Sequence, residues 1–259
     1  MIDPYYFNKA PIDISNMAKS LGIKRIEARQ MKSDGYLCSL YDGSLVIKYR
    51  LGNSEVRNRF TIAHELGHLL LGMIIGEQII EQRNSNPKLD MFEEIAADKI
   101  AAELLMPESL IKNELSSHES SWDFVRLLCY KYKVSEWAIL RRILEIRGVI
   151  GIWFRIYYEK QRNSGEPYYK QKNSLYSHVR IVNYIPAEIK RLCKESEFKT
   201  KHEMEIRTEN GVEAIIFDGT KKNIYFQNGT RKEYWVIGWK AEQKNRKDLS
   251  MCEDILFTR

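Results

Sequence analysis

The chain has 259 residues, 44% of them apolar or aromatic and 29% charged, which excludes a disordered chain and allows one large or two modest domains, each with its own core. No run of roughly 18 apolar residues occurs, which excludes a membrane-spanning helix, and the opening MIDPYYFNKAPIDIS lacks the basic patch and apolar stretch of a secretory signal. The net charge of +6 lies in the second half, where residues 151–259 carry 21 basic and 15 acidic residues against 20 and 20 in residues 1–150; a surplus of that size allows nucleic-acid binding without favouring it.

In chain order, Pro11 to Leu21 places Ile14, Met17, Ala18 and Leu21 at the i, i+3, i+4, i+7 spacing of an amphipathic helix, with Gly22 where it would end. Short β-like runs follow at Lys24–Ala28, Gly35–Leu40 and Ser44–Tyr49, the last two joined by an Asp42-Gly43 turn signal. From Glu55 to Leu71 apolar residues surround almost the whole helix circumference, the pattern of a buried helix, and Gly72 is placed to stop it. A polar stretch, Glu77 to Asp90, reads as a loop, and Phe92–Leu105 reads as a helix stopped by Pro107.

Residues 121–147 read as two helices, WDFVRLLCYKYK and SEWAILRRILEI, with Ser135 as N-cap of the second. That spacing is shared by a DNA-reading helix-turn-helix and by an ordinary helical hairpin; the apolar faces these helices need for packing favour the hairpin. Beyond Gly148 the texture turns to β in VIGIWFRIYYEK, SHVRIVNYI, VEAIIFDG, NIYFQ and EYWVIGWKA, with Asn228-Gly229 as a hairpin turn between the last two, and Ala187–Lys194 alone looks helical. Cys38, Cys129, Cys193 and Cys252 form no CxxC pair and read as reduced, partly buried thiols.

The chemistry is concentrated in His64-Glu65-Leu66-Gly67-His68, an HExxH motif inside the buried helix. At i and i+4 the two histidines share a helix face, roughly 5–6 Å apart, which lets two imidazoles hold one zinc ion. Glu65 stands beside them as a carboxylate able to take a proton from water. Random placement of 5 histidines and 35 acidic residues gives roughly 0.01 occurrences of His-acid-x-x-His in such a chain, so chance is a poor explanation. Gly67 inside the motif would let a neighbouring segment approach the helix closely.

A zinc hydrolase needs a third protein ligand from a separate rigid element. Glu94 and Asp98 stand at i and i+4 on the second helix, and their face continues through Ala101, Ala102 and Leu105, small or apolar enough to pack on another helix. Two stacked carboxylates repel unless a cation or donor lies between them. Glu94 fits as ligand, and Asp98 fits as the group that accepts the ring N–H of a ligating histidine. Glu93 is the fallback ligand, though it lies off that face. His118 is weighed as a transition-state donor; His178 and His202 have no ligand spacing. Zinc suits two histidines and a carboxylate best, with manganese or iron as alternatives.

RFTIAHELGHLLLG followed by EIAADKIAAELLMP resembles the ImmA/IrrE-type zinc metallopeptidases, whose pattern is HExxH, then E-x-x-x-[DN]-x-x-A-A-x-L-L-M-P. The resemblance covers about Pro11 to Pro107 and, more loosely, the paired helices to about 147; Ile100 stands where an aromatic residue is usual. It implies a gluzincin-like site with His64, His68 and Glu94 on zinc, Glu65 as general base and acid, and Asp98 behind. It also implies an intracellular protease that cuts a helix-turn-helix repressor, releasing genes of a mobile element or stress response.

The expected fold class is α+β: a zincin-like metallopeptidase domain over residues 1–115, a helical hairpin extension over 116–148, and a β-rich C-terminal domain over 149–259 that senses a signal or binds a partner. The expected location is the cytoplasm. Two rival functions remain open at this point: a regulatory module whose metal is not used for proteolysis, and a DNA-binding regulator using residues 121–147 and the basic C-terminal half.

Overall fold

A computed structural model of the protein describes residues 7–75, 87–160, 167–176, 202–226 and 229–240. Among the described residues are six α-helices and eight strands, an α+β arrangement. The chain divides into two compact units, Met1–Leu110 with Leu128–Ile139, and Ile111–Leu127 with Leu140–Arg259.

In the first unit, α1 (Ile14–Ser20) starts later than Pro11 because the Asp13 carboxylate accepts the Asn16 N–H at 3.0 Å and caps it there. Ile14, Met17 and Ala18 are buried, which is the face the spacing marked. Strands β1 (Ile23–Arg29), β2 (Gly35–Ser39) and β3 (Leu45–Arg50) form a sheet in the order β1-β3-β2. β1 runs parallel to β3, and β2 and β3 form the expected hairpin. Its turn is held by Asp42, whose carboxylate accepts the Ser44 N–H at 3.0 Å.

β2 is an edge strand, so half of its backbone groups have no strand partner. The Arg50 N–H donates to Asp34 O at 2.8 Å and the Leu40 N–H to Ser44 O at 2.9 Å. By the alternation of an antiparallel ladder, the groups of Tyr36 and Cys38 then face β3, and those of Gly35, Leu37 and Ser39 face the open edge.

Helix α2 (Glu55–Ile75) buries Ile62, Ala63 and Leu66, as its apolar circumference requires. It does not stop at Gly72. One internal glycine costs about 1 kcal/mol of helix propensity, and Met73, Ile74 and Ile75 carry no stop signal. Helix α3 (Pro87–Leu105) starts at Pro87 rather than Phe92; proline suits the first helical turn, where its missing N–H has no partner to lose. The expected loop Glu77–Asp90 is therefore helical from Pro87 onward, and its remainder lies outside the described residues.

Helix α4 (Glu108–Leu115) was not expected, although its buried pair Ile111 and Leu115 stands at i, i+4. α5 (Trp122–Tyr132) and α6 (Glu136–Glu145) are the expected pair, and Ser135 Oγ accepts the Ala138 N–H at 3.2 Å as N-cap. The division between the units passes through these three helices, whereas boundaries near 115 and 148 were expected.

The second unit holds β4 (Ile150–Lys160), β5 (Pro167–Tyr176), β6 (His202–Thr208), β7 (Gly211–Phe226) and β8 (Gly229–Lys240), an antiparallel sheet in the order β5-β4-β8-β7-β6. Trp153, Phe217, Val236 and Trp239 are buried in it. Trp122, the first residue of α5, donates its N–H to Asp218 Oδ2 at 2.7 Å and its indole N–H to Trp235 O at 3.1 Å, which ties that helix start to the sheet. The two runs VEAIIFDG and NIYFQ are one strand, β7. The expected strand SHVRIVNYI and helix Ala187–Lys194 lie outside the described residues.

Candidate metal centre

His64 and His68 project from one face of α2, their ring centroids 4.7 Å apart and nearly perpendicular. Among the described residues, His64, His68 and Glu94 form the group of side chains able to share a metal ion; Glu93 is not part of it. His64 Nε2 lies 3.1 Å from His68 Nε2 and 3.1 Å from Glu94 Oε2, and His68 Nε2 lies 3.3 Å from Glu94 Oε1. Ligands about 2.0–2.1 Å from a tetrahedral zinc ion are separated by about 3.3 Å, so the two ring nitrogens are spaced as two corners of such a tetrahedron, and the Glu94 carboxylate reaches each of them through a different oxygen.

The donor chemistry agrees with that fit. His64 Nδ1 lies 2.9 Å from Asp98 Oδ1. A carboxylate oxygen accepts, so the ring proton belongs on Nδ1, and His64 Nε2 turns a lone pair toward Glu94 and His68. The unprotonated His64 Nε2 and the Glu94 carboxylate, 3.1 Å apart, repel one another, and a cation between them removes that repulsion.

Two helices create this geometry, and their spacing is set at Gly67. A Cβ there would stand 2.7 Å from Ala97 O and 2.9 Å from Ala97 Cα, both backbone atoms of α3. Glycine lets α3 lie against α2 closely enough for Glu94 to reach the histidines. Gly67→Ala must push the helices apart; it is expected to destabilise the fold by about 1–3 kcal/mol, read as a lower urea midpoint with unchanged slope.

Burial is uneven across the site. The His68 side chain is 4% exposed, while those of Glu94 and Asp98 are 58% and 44% exposed. The histidine side is thus closed by the core, and the α3 side is exposed. Asp98→Asn keeps the size but weakens the charge-assisted bond to His64, and is expected to lower metal affinity roughly 10–100-fold, read by competition with a chelating dye.

Glu65 is 5% exposed, and its Oε2 accepts the Leu37 N–H of β2 at 2.8 Å. Neither Leu37 nor Gly35, which lies over Thr61 one turn earlier on α2, was marked as functional by the sequence; a glycine opening a strand is the one local hint of a close approach. Asp34, just before β2, is bound by Arg57 of α2, by Arg50 at the end of β3 and by Asn53 just beyond it. The hydrogen bonds from Arg57 and then Asn53 hold its carboxyl below the usual range. His118 is engaged locally, with Nδ1 2.9 Å from Glu114 O and its ring stacked on Phe124 at 4.2 Å.

Comparison with known proteins decides the family. Residues 18–144 match the profile of a peptidase family described as the IrrE N-terminal-like domain. Residues 18–144 belong to the ImmA/IrrE family. The matched stretch contains His64, Glu65, His68, Glu94 and Asp98, and membership makes the protein of a peptidase kind whose members are typically metal-dependent. A solved structure of a Mycobacterium tuberculosis transcriptional regulator is similar at 13% identity, over 97% of this chain and 86% of that one, with a TM-score of 0.50. That likeness is one of fold. No curated protein matches the chain.

The α5–α6 pair carries ion-paired basic side chains: Arg126 with Asp123, Lys133 with Glu55 and Arg141 with Glu145. Among the described residues no helix is long and apolar enough to cross a membrane.

Proposed function

We propose that the protein is a cytoplasmic zinc endopeptidase that hydrolyses one peptide bond in a helix-turn-helix transcriptional repressor, and so derepresses genes of a mobile element or a stress response. The observation that carries the reading is the convergence of His64, His68 and Glu94 donor atoms beside a buried Glu65. In this reading His64, His68 and Glu94 hold the ion, and Asp98 fixes the tautomer of His64 through Nδ1. A zinc ion bound there supplies Lewis-acid polarisation of a carbonyl and acidification of water.

The chain's own residues do the rest. Glu65, on the same turn as His64, accepts a proton from the attacking water and returns it to the leaving amine, so that water adds across the C–N bond with no net proton change. The exposed α3 side admits the substrate segment, and the core behind His68 keeps bulk water from the proton-transfer path. The β-rich unit is left for sensing a signal or binding a partner.

The test compares new protein N-termini in cells of the native host that express wild type or Glu65→Gln. A terminus formed with wild type alone establishes the protease and names its target. No such terminus, with one zinc per purified chain, turns the assignment to a non-proteolytic metal-binding regulator that acts through protein or DNA. The name of the similar mycobacterial structure, a transcriptional regulator, favours that second reading.

A further inference from the structure

Resting on the reading of Glu65 as general base, we propose that edge strand β2 is its positioning device: the Leu37 N–H, brought within reach by Gly35, fixes the Glu65 carboxylate for proton transfer. Leu37 and Gly35 are therefore positioning residues of the reaction, acting through Glu65 without touching the substrate.

The hydrogen bond is buried and short, 2.8 Å from Leu37 N to Glu65 Oε2. Leu37 lies opposite Ile47 in the β2–β3 register, and its N–H faces the open edge of the sheet. The sheet itself has no use for this donor. A glutamate on a helix turns about three side-chain torsions, so a carboxylate with one oxygen held has lost most of the arrangements that would point it away from a reacting water.

Gly35 makes the approach possible. A Cβ on it would stand 2.3 Å from Thr61 Cγ2 and 3.0 Å from Lys48 O. Thr61 is one turn before Glu65 on α2, so the absent side chain lets β2 rest directly on the helix turn that presents the base. Asp34, bound to Arg57 of the same helix, fixes the other end of that contact. Three successive points thus set the distance between strand and base: an ion pair at Asp34, a bare backbone at Gly35 and a donor at Leu37.

A bond with no role beyond satisfying two buried groups would keep the fold and leave turnover alone. Two measurements on the full chain separate these roles. The first is amide hydrogen exchange at single-residue resolution. The Leu37 amide is expected to exchange slowly although it faces the open edge, and at least about tenfold faster in Glu65→Ala, while Tyr36 and Cys38, whose amides face β3, keep their protection. An unchanged Leu37 rate in Glu65→Ala overturns the bond.

The second is turnover of the cleaved substrate by Leu37→Pro. Proline on an edge strand removes an N–H that faces outward and no ladder bond. The expected result is a kcat lowered about 10–100-fold, with KM and bound zinc unchanged, and the same split in Gly35→Ala, which serves if the proline variant does not fold. Unchanged kcat in a folded variant, or equal loss in kcat and in zinc content, overturns the positioning role. Absence of cleavage by wild type overturns the peptidase reading instead, and the exchange measurement still decides whether Leu37 holds Glu65.

Discussion

Glu65→Gln is expected to retain bound metal and folding stability and to lose peptide cleavage by on the order of 10²–10⁴-fold, the usual contribution of a general base. The separation of these effects follows from the geometry. Glu65 is not among the three donors that face one another, so the amide leaves His64, His68 and Glu94 in place. The amide oxygen of glutamine can still accept the Leu37 N–H that the carboxylate accepts at 2.8 Å, so a buried donor is not orphaned and the stability change stays small. What the amide lacks is a lone pair basic enough to take a proton from water. Metal analysis, a thermal melt and a cleavage assay on one preparation check all three. A variant that cleaves like wild type removes Glu65 from the mechanism, and one that loses metal makes it a part of the metal cage.

The part of the site that could be read in the sequence is the part governed by local periodicity. His64 and His68 at i, i+4, Glu94 and Asp98 at i, i+4, and a glycine between the histidines are statements about helix faces, and a helix carries its own geometry into any fold. The contact of Gly67 with Ala97 and the bond between His64 and Asp98 follow once the two faces meet. Leu37 and Gly35 were invisible for the opposite reason. Leu37 and Glu65 are 28 residues apart, and the link runs through a backbone N–H, which every residue but proline owns.

The same distinction explains the misread elements. β5 and β6 are the two edges of the large sheet, and edge strands carry polar residues on much of their length; PYYKQKNSLY and HEMEIRT therefore lack the apolar signal that marked β4 and β8. β7 looked like two strands because Asp218 to Asn223 interrupts its apolar residues, yet backbone pairing with β8 continues through that stretch. Gly72 was read as a helix stop and Pro87 fell within the expected loop, but one lies inside α2 and the other opens α3. Glycine and proline restrict a helix by an amount that neighbouring residues can offset, and position within the helix decides the outcome.

Glu94→Ala is expected to lower zinc affinity by more than about 100-fold, beyond the roughly 10–100-fold that loss of an outer hydrogen bond costs, because it removes one of three donors outright. Its effect on the metal-free fold should have the opposite sign. Glu94 stands one turn from Asp98 on an exposed helix face, 58% and 44% exposed, and like charges at that spacing oppose helix formation by about 0.2–0.5 kcal/mol. Alanine removes the repulsion and is a better helix former. The apo variant should therefore melt no lower than the apo wild type. Zinc then separates the two: a ligand that binds the folded state alone adds about 2.7 kcal/mol when present at 100 times its Kd. Wild type should lose that increment when a chelator is added, and Glu94→Ala should melt at the same temperature with and without one. A variant with wild-type metal content and a chelator-sensitive melt would take Glu94 off the metal and leave the carboxylate on α3 as a group that only faces the histidines.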